Sequence, residues 1–433
     1  MIAKQILSNS RGNFMRKFGM CLILGLSPFV SMALEAQALT WDQCVQETAH
    51  NNAAIKAAYQ SWQSATSQVS ATKSAFLPAV SGSFSVNYGK NTANPAAKAD
   101  DSYAASLIVS QNILNGWADE ARVEQSKATA SIAEATLKIS KAQTSYDLKT
   151  AYASLVYAQR ATRLQENIQQ RRKTNLDLVG LRFDNGSENK GSVLLSQAYL
   201  QQADFNIIQA RNSIQVASAQ LARALGRDET ALLTVTEVIP VTPIPTSPDY
   251  RTLAVQTPQR VQAVFREQSA DSGIKLAKAG YFPTVGVSGT YGRQGDVMFP
   301  RDDAWSVGIT VNVPIFNGGR DYYTTQSAIA TRSAVGSSRE DLDRQLITTL
   351  STALTRLVEA KKNLEVTESF LKASEMRAEI GRGRYNNGLL SFDDWDLIET
   401  DLINRQQNYI SSERDFVLAE ANWENVLGTG SLK

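Results

Sequence analysis

Two pairs of segments alternate apolar and small polar residues at every second position. Phe84 lies between two serines, and Ile309 lies between a glycine and a threonine. A period of two indicates β-strands with one apolar and one polar face. We therefore predict β-hairpins over residues 79–113 and 284–314. On their own, such strands fit a half-buried soluble sheet and a membrane barrel equally well.

After each hairpin comes a proline-free stretch whose apolar residues recur with coiled-coil spacing. In the second half of the chain, Leu346, Leu350 and Ala353 step by four and then three positions. This spacing places one apolar seam along a helix. We predict long helices over residues 115–180 and 318–381. At about 1.5 Å per residue, the first would be roughly 100 Å long.

Each long helix is followed by an Asn-Gly turn and a shorter helix that returns. The turns fall at Gly186 and Gly388, because glycine tolerates the backbone angles of an abrupt helix end. The return helices are predicted over residues 192–226 and 393–427. Helix pairs of this kind form either a solid coiled-coil stalk or the wall of a tube.

An internal repeat relates the two halves of the chain at an offset of about 202 residues. Residues 182–186 (Arg-Phe-Asp-Asn-Gly) correspond to residues 384–388 (Arg-Tyr-Asn-Asn-Gly). Each repeat is predicted to contain a helix, a hairpin, a long helix and a return helix. The predicted boundaries are a first repeat over 39–226, a proline-rich connector over 227–258, a second repeat over 259–428 and a tail over 429–433.

The first 38 residues have the order of a secretory signal peptide. Arg16 and Lys17 precede an apolar run over residues 18–30, and the segment ends in Ala36-Gln37-Ala38. A membrane anchor is the alternative, but the run is short for a bilayer core of about 30 Å. We therefore assign residues 1–38 to a signal peptide.

Composition and charge exclude several classes of function. The 44 basic and 42 acidic residues are nearly balanced, which argues against nucleic-acid binding. One histidine and two cysteines cannot build a zinc site, a disulfide framework or a Ser-His-Asp triad. We predict no catalytic residue, no metal and no cofactor. His50 is expected to be a solvated or capping residue, and Cys44 a buried, inert thiol.

Four strands are too few to close a membrane barrel, since known barrels start at about eight strands. An open sheet edge is not tolerated in hydrocarbon. Several copies of the chain would therefore share one barrel, and strand counting alone allows two copies or three. A barrel that continues into helices of roughly 100 Å would form a tube.

The ordered motifs resemble the TolC-like outer-membrane efflux proteins over essentially the whole mature chain. They are Leu39-Thr40-Trp41 at the start, Phe76-Leu77-Pro78 and Tyr281-Phe282-Pro283 before the hairpins, Val-Pro-Ile-Phe-Asn-Gly-Gly at 313–319, and the two Arg-aromatic-x-x-Gly turns. No single motif is specific for this family, but the set of motifs in this order is.

The resemblance implies a mixed α/β membrane protein in the outer membrane. Three copies would form a twelve-stranded β-barrel, with four strands per chain, continued by a long α-helical coiled-coil periplasmic barrel. It implies a passive exit duct of a tripartite efflux or type I secretion system. The implied partners are a periplasmic adaptor and an inner-membrane pump or ABC exporter. The alternative is a periplasmic adaptor or coiled-coil scaffold without a pore.

An acidic cluster just after the second turn is the main candidate site. Asp393, Asp394 and Asp396 are either caps of the return helix or a ring of carboxylates at the periplasmic mouth. By resemblance, Asp394 matches the first acidic position of such a constriction. The second position is Leu397, and Ser192 stands at the corresponding place in the first repeat.

The resemblance also places adaptor docking at the two helical turns. The residues expected to dock the adaptor are Arg182, Asn185, Gly186, Arg384, Asn387 and Gly388. The transported substrate does not follow from this chain, because in such systems the pump selects it.

We predict that the mature protein begins at Leu39. N-terminal sequencing of outer-membrane material checks this, with Leu39 as the expected first residue. Recovery of a chain that retains residues before Ala38 would contradict the cleavage site.

Overall fold

The computed structural model describes residues 38–89, 100–228 and 232–432. The predicted signal peptide therefore lies outside the described residues, apart from Ala38. The chain from Ala38 to the C-terminal end forms one compact unit.

Four antiparallel strands form one sheet in the order β1-β2-β3-β4. The strands are β1 (Ala79–Gly89), β2 (Asp100–Asn115), β3 (Thr284–Gly295) and β4 (Asp302–Asn312). Each predicted hairpin supplies two neighbouring strands, and β2 pairs with β3 across the two repeats. As a result, β1 and β4 form the two edges of the sheet.

The register places apolar side chains of all four strands on one face. Val109 is opposite Val80, and Val307 is opposite Gly289. The neighbouring positions Ser81, Ile108, Thr290 and Ser306 line up on the other face. The apolar face is uncovered in a single chain, where Ile309 is 71% exposed.

Eight α-helices account for most of the described residues. They are α1 (Trp41–Asn51), α2 (Ala53–Lys73), α3 (Ala118–Asp184), α4 (Lys190–Leu225), α5 (Tyr250–Gln256), α6 (Pro258–Lys278), α7 (Arg320–Asn386) and α8 (Phe392–Leu427). The long helices α3 and α7 have 67 residues each, and the return helices α4 and α8 have 36 each. None of the helices in the described ranges is long and apolar enough to cross a membrane.

The elements of the two repeats follow the same order along the chain. Helix α7 begins 202 positions after α3, and α8 begins 202 positions after α4. The buried seam residues Leu148 and Leu155 of α3 correspond to Leu350 and Leu357 of α7. The duplication seen in the sequence is therefore present in the structure.

The expected ends of the long helices at Gly180 and Gly381 are wrong. Helix α3 continues through Gly180 to Asp184, and α7 continues to Asn386. A glycine inside a long helix lowers its stability but does not end it. An added Cβ at Gly381 would lie 3.1 Å from the Ile398 Cδ1 atom, so this glycine lets α8 approach closely.

The beginnings of the long helices also differ from expectation. They start at Ala118 and Arg320, three and two residues later than predicted, because the residues before them have positive φ angles. The return helices start two residues and one residue earlier than predicted, at Lys190 and Phe392, each directly after a side-chain N-cap, Asn189 or Ser391.

The proline-rich connector contains one short helix, α5. Helix α5 begins shortly after Pro248. Asp249 is its N-cap and accepts a hydrogen bond from the Arg251 N–H. Pro258 occupies the first turn of α6, where its missing N–H costs nothing.

One extended part of the connector fixes the start of the chain against α3. Leu39 forms a parallel bridge with Val235, and its N–H donates to the Thr234 carbonyl at 2.9 Å. The Tyr152 hydroxyl of α3 donates to the Thr236 carbonyl at 2.8 Å. Cys44 packs in the same core, where burial raises the pKa of its thiol to about 11. This burial fits the expectation that the Cys44 thiol is inert.

A buried ion pair joins the two repeats below the sheet. The Lys149 Nζ atom of α3 lies 3.1 Å from Glu420 and 3.2 Å from Glu424, both on α8. Lys149 and Glu420 are almost completely buried. Removal of one partner from a buried pair is costly because the other charge stays uncompensated.

We predict that Lys149→Met lowers stability by about 3–5 kcal/mol. The matched control is Lys138→Met on the same helix, which removes an exposed i,i+4 pair with Glu134 and should cost about 0.5 kcal/mol or less. The urea midpoint of the helical circular dichroism signal measures both. Equal midpoints for the two variants would show that the buried pair does not stabilise the junction of the repeats.

Candidate functional site at the helical turns

The two long helix pairs end in turns of the same construction. The Ser187 N–H donates to the Arg182 carbonyl, and the Leu389 N–H donates to the Arg384 carbonyl, both at 2.8 Å. Gly186 has a φ of 71° and Gly388 a φ of 74°. These bonds satisfy the last free carbonyls of each helix. The repeat thus produces two matching turns in each chain.

An aromatic cluster holds the second turn together. The rings of Tyr385 and Trp395 stack with centroids 4.2 Å apart and planes 9° apart. Phe392 packs edge-on against both rings, and Val179 of α3 completes the cluster. The second turn is therefore rigidly packed against the end of the first long helix.

Arg182 and Glu188 of the first turn bind Tyr385 from two sides. The Arg182 Nη1 atom donates to the Tyr385 carbonyl at 2.7 Å, and its guanidinium lies 4.6 Å from the ring centroid. The Tyr385 hydroxyl donates to the Glu188 carboxylate at 3.1 Å. Burial and the nearby Glu188 charge raise the pKa of Tyr385 to about 12, so the hydroxyl stays a donor at neutral pH.

The other residues predicted to dock an adaptor lie on the surface. Asn185, Gly186, Asn387 and Gly388 are exposed at the tips of the helix pairs. Arg384 is exposed too, and its guanidinium has no ion pair or hydrogen bond within the described part of the chain. Arg182 and Arg384 therefore occupy equivalent positions with different surroundings.

The three aspartates of the acidic cluster have different roles in the chain. The Asp394 N–H donates to the Ser391 hydroxyl at 3.1 Å, and this hydroxyl donates to the Asp394 carboxylate at 2.7 Å. Asp396 faces inward and pairs with Arg172 of α3 at 2.9 Å. It also accepts a hydrogen bond from the Tyr199 hydroxyl at 2.9 Å. Asp393 and Asp394 remain as the exposed carboxylates of the cluster.

Sequence reasoning missed three members of this site. Arg172 forms an ion pair with Asp396, Tyr199 donates a hydrogen bond to Asp396, and Glu188 accepts one from Tyr385. Ser192, which stands at the expected acidic position of the first repeat, donates to Glu188 at 3.0 Å. The carboxylate of the first turn thus lies four residues earlier than the resemblance implied. These contacts depend on how the neighbouring helices align side by side, and one sequence alone does not give that alignment.

Comparison with known proteins identifies the family. The sequence profile described as "Outer membrane efflux protein" matches residues 44–227 and 250–429, which contain most of both repeats and leave out residues 228–249 of the connector. The chain belongs to this family. Like the other members of the outer membrane efflux protein family, it is placed in the outer membrane with a periplasmic helical part. The resemblance to TolC-like proteins is confirmed.

Individual relatives agree with this assignment. The outer membrane efflux protein BepC of Brucella suis is 21% identical over 390 residues, which cover 87% of this chain and 83% of BepC. Among solved structures, the CmeC outer membrane channel of Campylobacter jejuni has a TM-score of 0.81 at 16% identity, covering 90% of this chain and 85% of CmeC. VceC of Vibrio cholerae has a TM-score of 0.79 at 20% identity, covering 90% and 96%. At such identities the structures show the shared fold.

The described residues contain no group of three or more His, Cys, Asp and Glu side chains arranged to hold a metal ion.

We predict that Tyr385→Phe loosens the turns of this family member. Loss of one hydrogen bond to the partly solvated Glu188 should cost about 1 kcal/mol, or roughly five-fold faster local amide exchange. Hydrogen exchange at residues 178–188 and 385–395 measures it. The control is Tyr59→Phe on α2, an exposed tyrosine far along the chain. Unchanged exchange in Tyr385→Phe relative to this control would contradict the role of the hydroxyl.

Proposed function

We propose that this chain is one protomer of a trimeric exit duct that conducts substrates passively across the outer membrane. The observation that carries the proposal is the four-stranded sheet with one largely exposed apolar face, joined to two helices of 67 residues each. Lipid is the natural cover for such a face. The helices extend the opening of a barrel into the periplasm.

The open edges of the sheet support assembly of several copies. β1 and β4 each have one unpaired side in a single chain, and hydrocarbon does not tolerate unpaired backbone groups. Pairing of β1 of one copy with β4 of the next would remove every edge. We choose three copies rather than two because of the resemblance to TolC-like proteins.

A periplasmic adaptor and an inner-membrane pump would complete the system. The adaptor would dock at the exposed turns around Gly186 and Gly388, and the pump or ABC exporter would supply energy and select the substrate. The system would be either tripartite efflux or type I secretion. The chain itself would then need no catalytic group, in keeping with a family of channels. A scaffold without a pore would leave the apolar sheet face uncovered, so we do not favour it.

Asp393 and Asp394 are proposed to form the periplasmic constriction. Both are exposed at the start of α8, next to the tip of the helix pair. Three copies would bring these carboxylates together as a ring, which attracts cations and repels anions. Asp396 would contribute less, because Arg172 neutralises its charge within the chain.

We expect arginine on the apolar sheet face to destabilise the folded trimer. The tested positions are neighbours on β4, Ile309 on the apolar face and Thr310 on the polar face. Ile309→Arg should cost about 2–4 kcal/mol near the bilayer midplane, whereas Thr310→Arg faces water and should be mild. The yield of heat-modifiable trimer on gels measures both. Equal losses would refute the assigned lipid face, of which Leu107, Val109, Val307 and Val311 are further members.

Neutralising the acidic cluster should reduce the preference of the channel for cations. The triple change Asp393→Asn, Asp394→Asn and Asp396→Asn keeps side-chain size and much of the capping ability. In planar bilayers with a salt gradient, the reversal potential should move toward zero. Block by trivalent cations added from the periplasmic side should weaken.

The double change Asp393→Asn and Asp394→Asn is measured beside the triple change, because Asp396→Asn also leaves the Arg172 guanidinium without its carboxylate. The double change alone should already reduce the preference for cations. An assembled triple variant with unaltered selectivity and block would show that the cluster is only a helix cap.

A further inference from the structure

A small polar cavity lies between α3, α4 and α8, next to the aromatic cluster of the second turn. Its volume is about 10 Å³, close to the roughly 10–15 Å³ that holds a single water molecule. It is lined, among others, by Asn175 of α3, Ser196 of α4, and Trp395 and Glu399 of α8. The cavity therefore joins both helix pairs at one point.

Trp395 brings to this cavity a hydrogen-bond donor that lacks a protein acceptor. Its side chain is 2% exposed, and no acceptor of the described residues lies within hydrogen-bond distance of its Nε1 atom. The stacked ring of Tyr385 and the edge-on ring of Phe392 hold the indole in place. A buried N–H group without an acceptor costs free energy, so folded proteins nearly always supply one.

The ion pair beside the cavity does not supply this acceptor, because its groups already bind each other. The two carboxylate oxygens of Asp396 accept from Arg172 and from the Tyr199 hydroxyl, each at 2.9 Å. Arg172 also donates to the Thr400 hydroxyl at 3.2 Å. The indole N–H remains as the donor whose partner has to come from the cavity itself.

The other polar walls of the cavity offer both donors and acceptors. Asn175 and Ser196 are 9% and 5% exposed, and an amide and a hydroxyl can each donate and accept. Glu399 is almost completely buried and accepts a hydrogen bond from the Arg382 Nη2 atom at 2.8 Å. A carboxylate accepts further bonds beside this one. The walls thus provide the partners that a buried water molecule needs.

The charges around the cavity argue against an ion as its occupant. An anion would lie beside the carboxylates of Asp396 and Glu399, and a metal cation would meet the Arg172 guanidinium and the Trp395 N–H. A neutral molecule that both donates and accepts hydrogen bonds suits all of these walls. At this volume, water is the molecule that fits.

We propose that one ordered water molecule binds in this cavity, accepts a hydrogen bond from the Trp395 indole and donates to polar groups of the neighbouring helices. The water would connect the aromatic cluster of the second turn to the first helix pair, beside the Arg172–Asp396 ion pair. This inference does not rest on the proposed function, because the lining residues named above belong to one chain.

A structure of the full-length protein that resolves ordered water tests the site directly. We expect one density peak about 2.7–3.2 Å from the Trp395 Nε1 atom, with a second polar neighbour at a similar distance on α3, α4 or α8. The proposal is overturned by a cavity without a peak or by a direct bond from the indole to Glu399. A peak surrounded by oxygen atoms at the metal-ion distances of about 2.0–2.6 Å also overturns it.

A double-mutant cycle tests whether the water connects Trp395 to α3. Trp395→Phe removes the indole N–H, and Asn175→Leu removes the amide at similar size. Each single change should speed amide exchange at residues 385–395 by roughly five-fold, because a hydrogen-bonded water is lost. The double variant should exchange little faster than the faster single variant, because both changes remove the same water. An increase equal to the product of the two single increases would show independent roles and overturn the bridge.

The matched control is Trp423→Phe, which changes another buried tryptophan further along α8. It should leave exchange at residues 385–395 unchanged and should not reduce the effect of Asn175→Leu. A control that reduces this effect as much as Trp395→Phe would overturn the assignment to the cavity. If a variant does not fold, the density in the unaltered protein decides alone.

Discussion

The unpaired edges of a four-stranded sheet are the constraint on which the whole assembly depends. Hydrocarbon offers no water to satisfy the backbone groups of β1 and β4, so the apolar face can enter a membrane only if the edges are paired. Pairing between copies satisfies these groups and encloses the small polar face as a lumen. A single chain in a membrane would therefore leave the backbone groups of both edges unpaired.

The repeat joins two similar halves within one chain. Helix α3 of the first repeat packs along α8 of the second and forms the internal seam between them. The internal seam has buried charges such as Lys149 and Glu420, which are costly when left without a partner. The counterparts of Lys149 and Glu420 at the offset of the repeat are Ser351 and Ser218. The two halves therefore share a fold but differ in the contacts at these positions.

Most of the architecture could be predicted from the sequence, because period-two strands, heptad spacing and the repeat are local patterns. The helix ends at Gly180 and Gly381 were wrong, since a glycine does not end a helix that packing supports. Within the acidic cluster, the sequence gives no sign that Asp396 pairs with Arg172 while Asp394 stays exposed. That difference depends on which face of α8 meets α3, and this is set by packing between residues more than two hundred positions apart.

Electron cryomicroscopy of the purified protein in lipid nanodiscs tests the central claim most directly, because it counts copies and strands together. With four strands per chain, we predict three copies around one axis, with β1 of each copy hydrogen-bonded to β4 of the next in a closed barrel of twelve strands. A closed barrel of two copies, or a single chain whose β1 and β4 edges remain unpaired, would contradict the account.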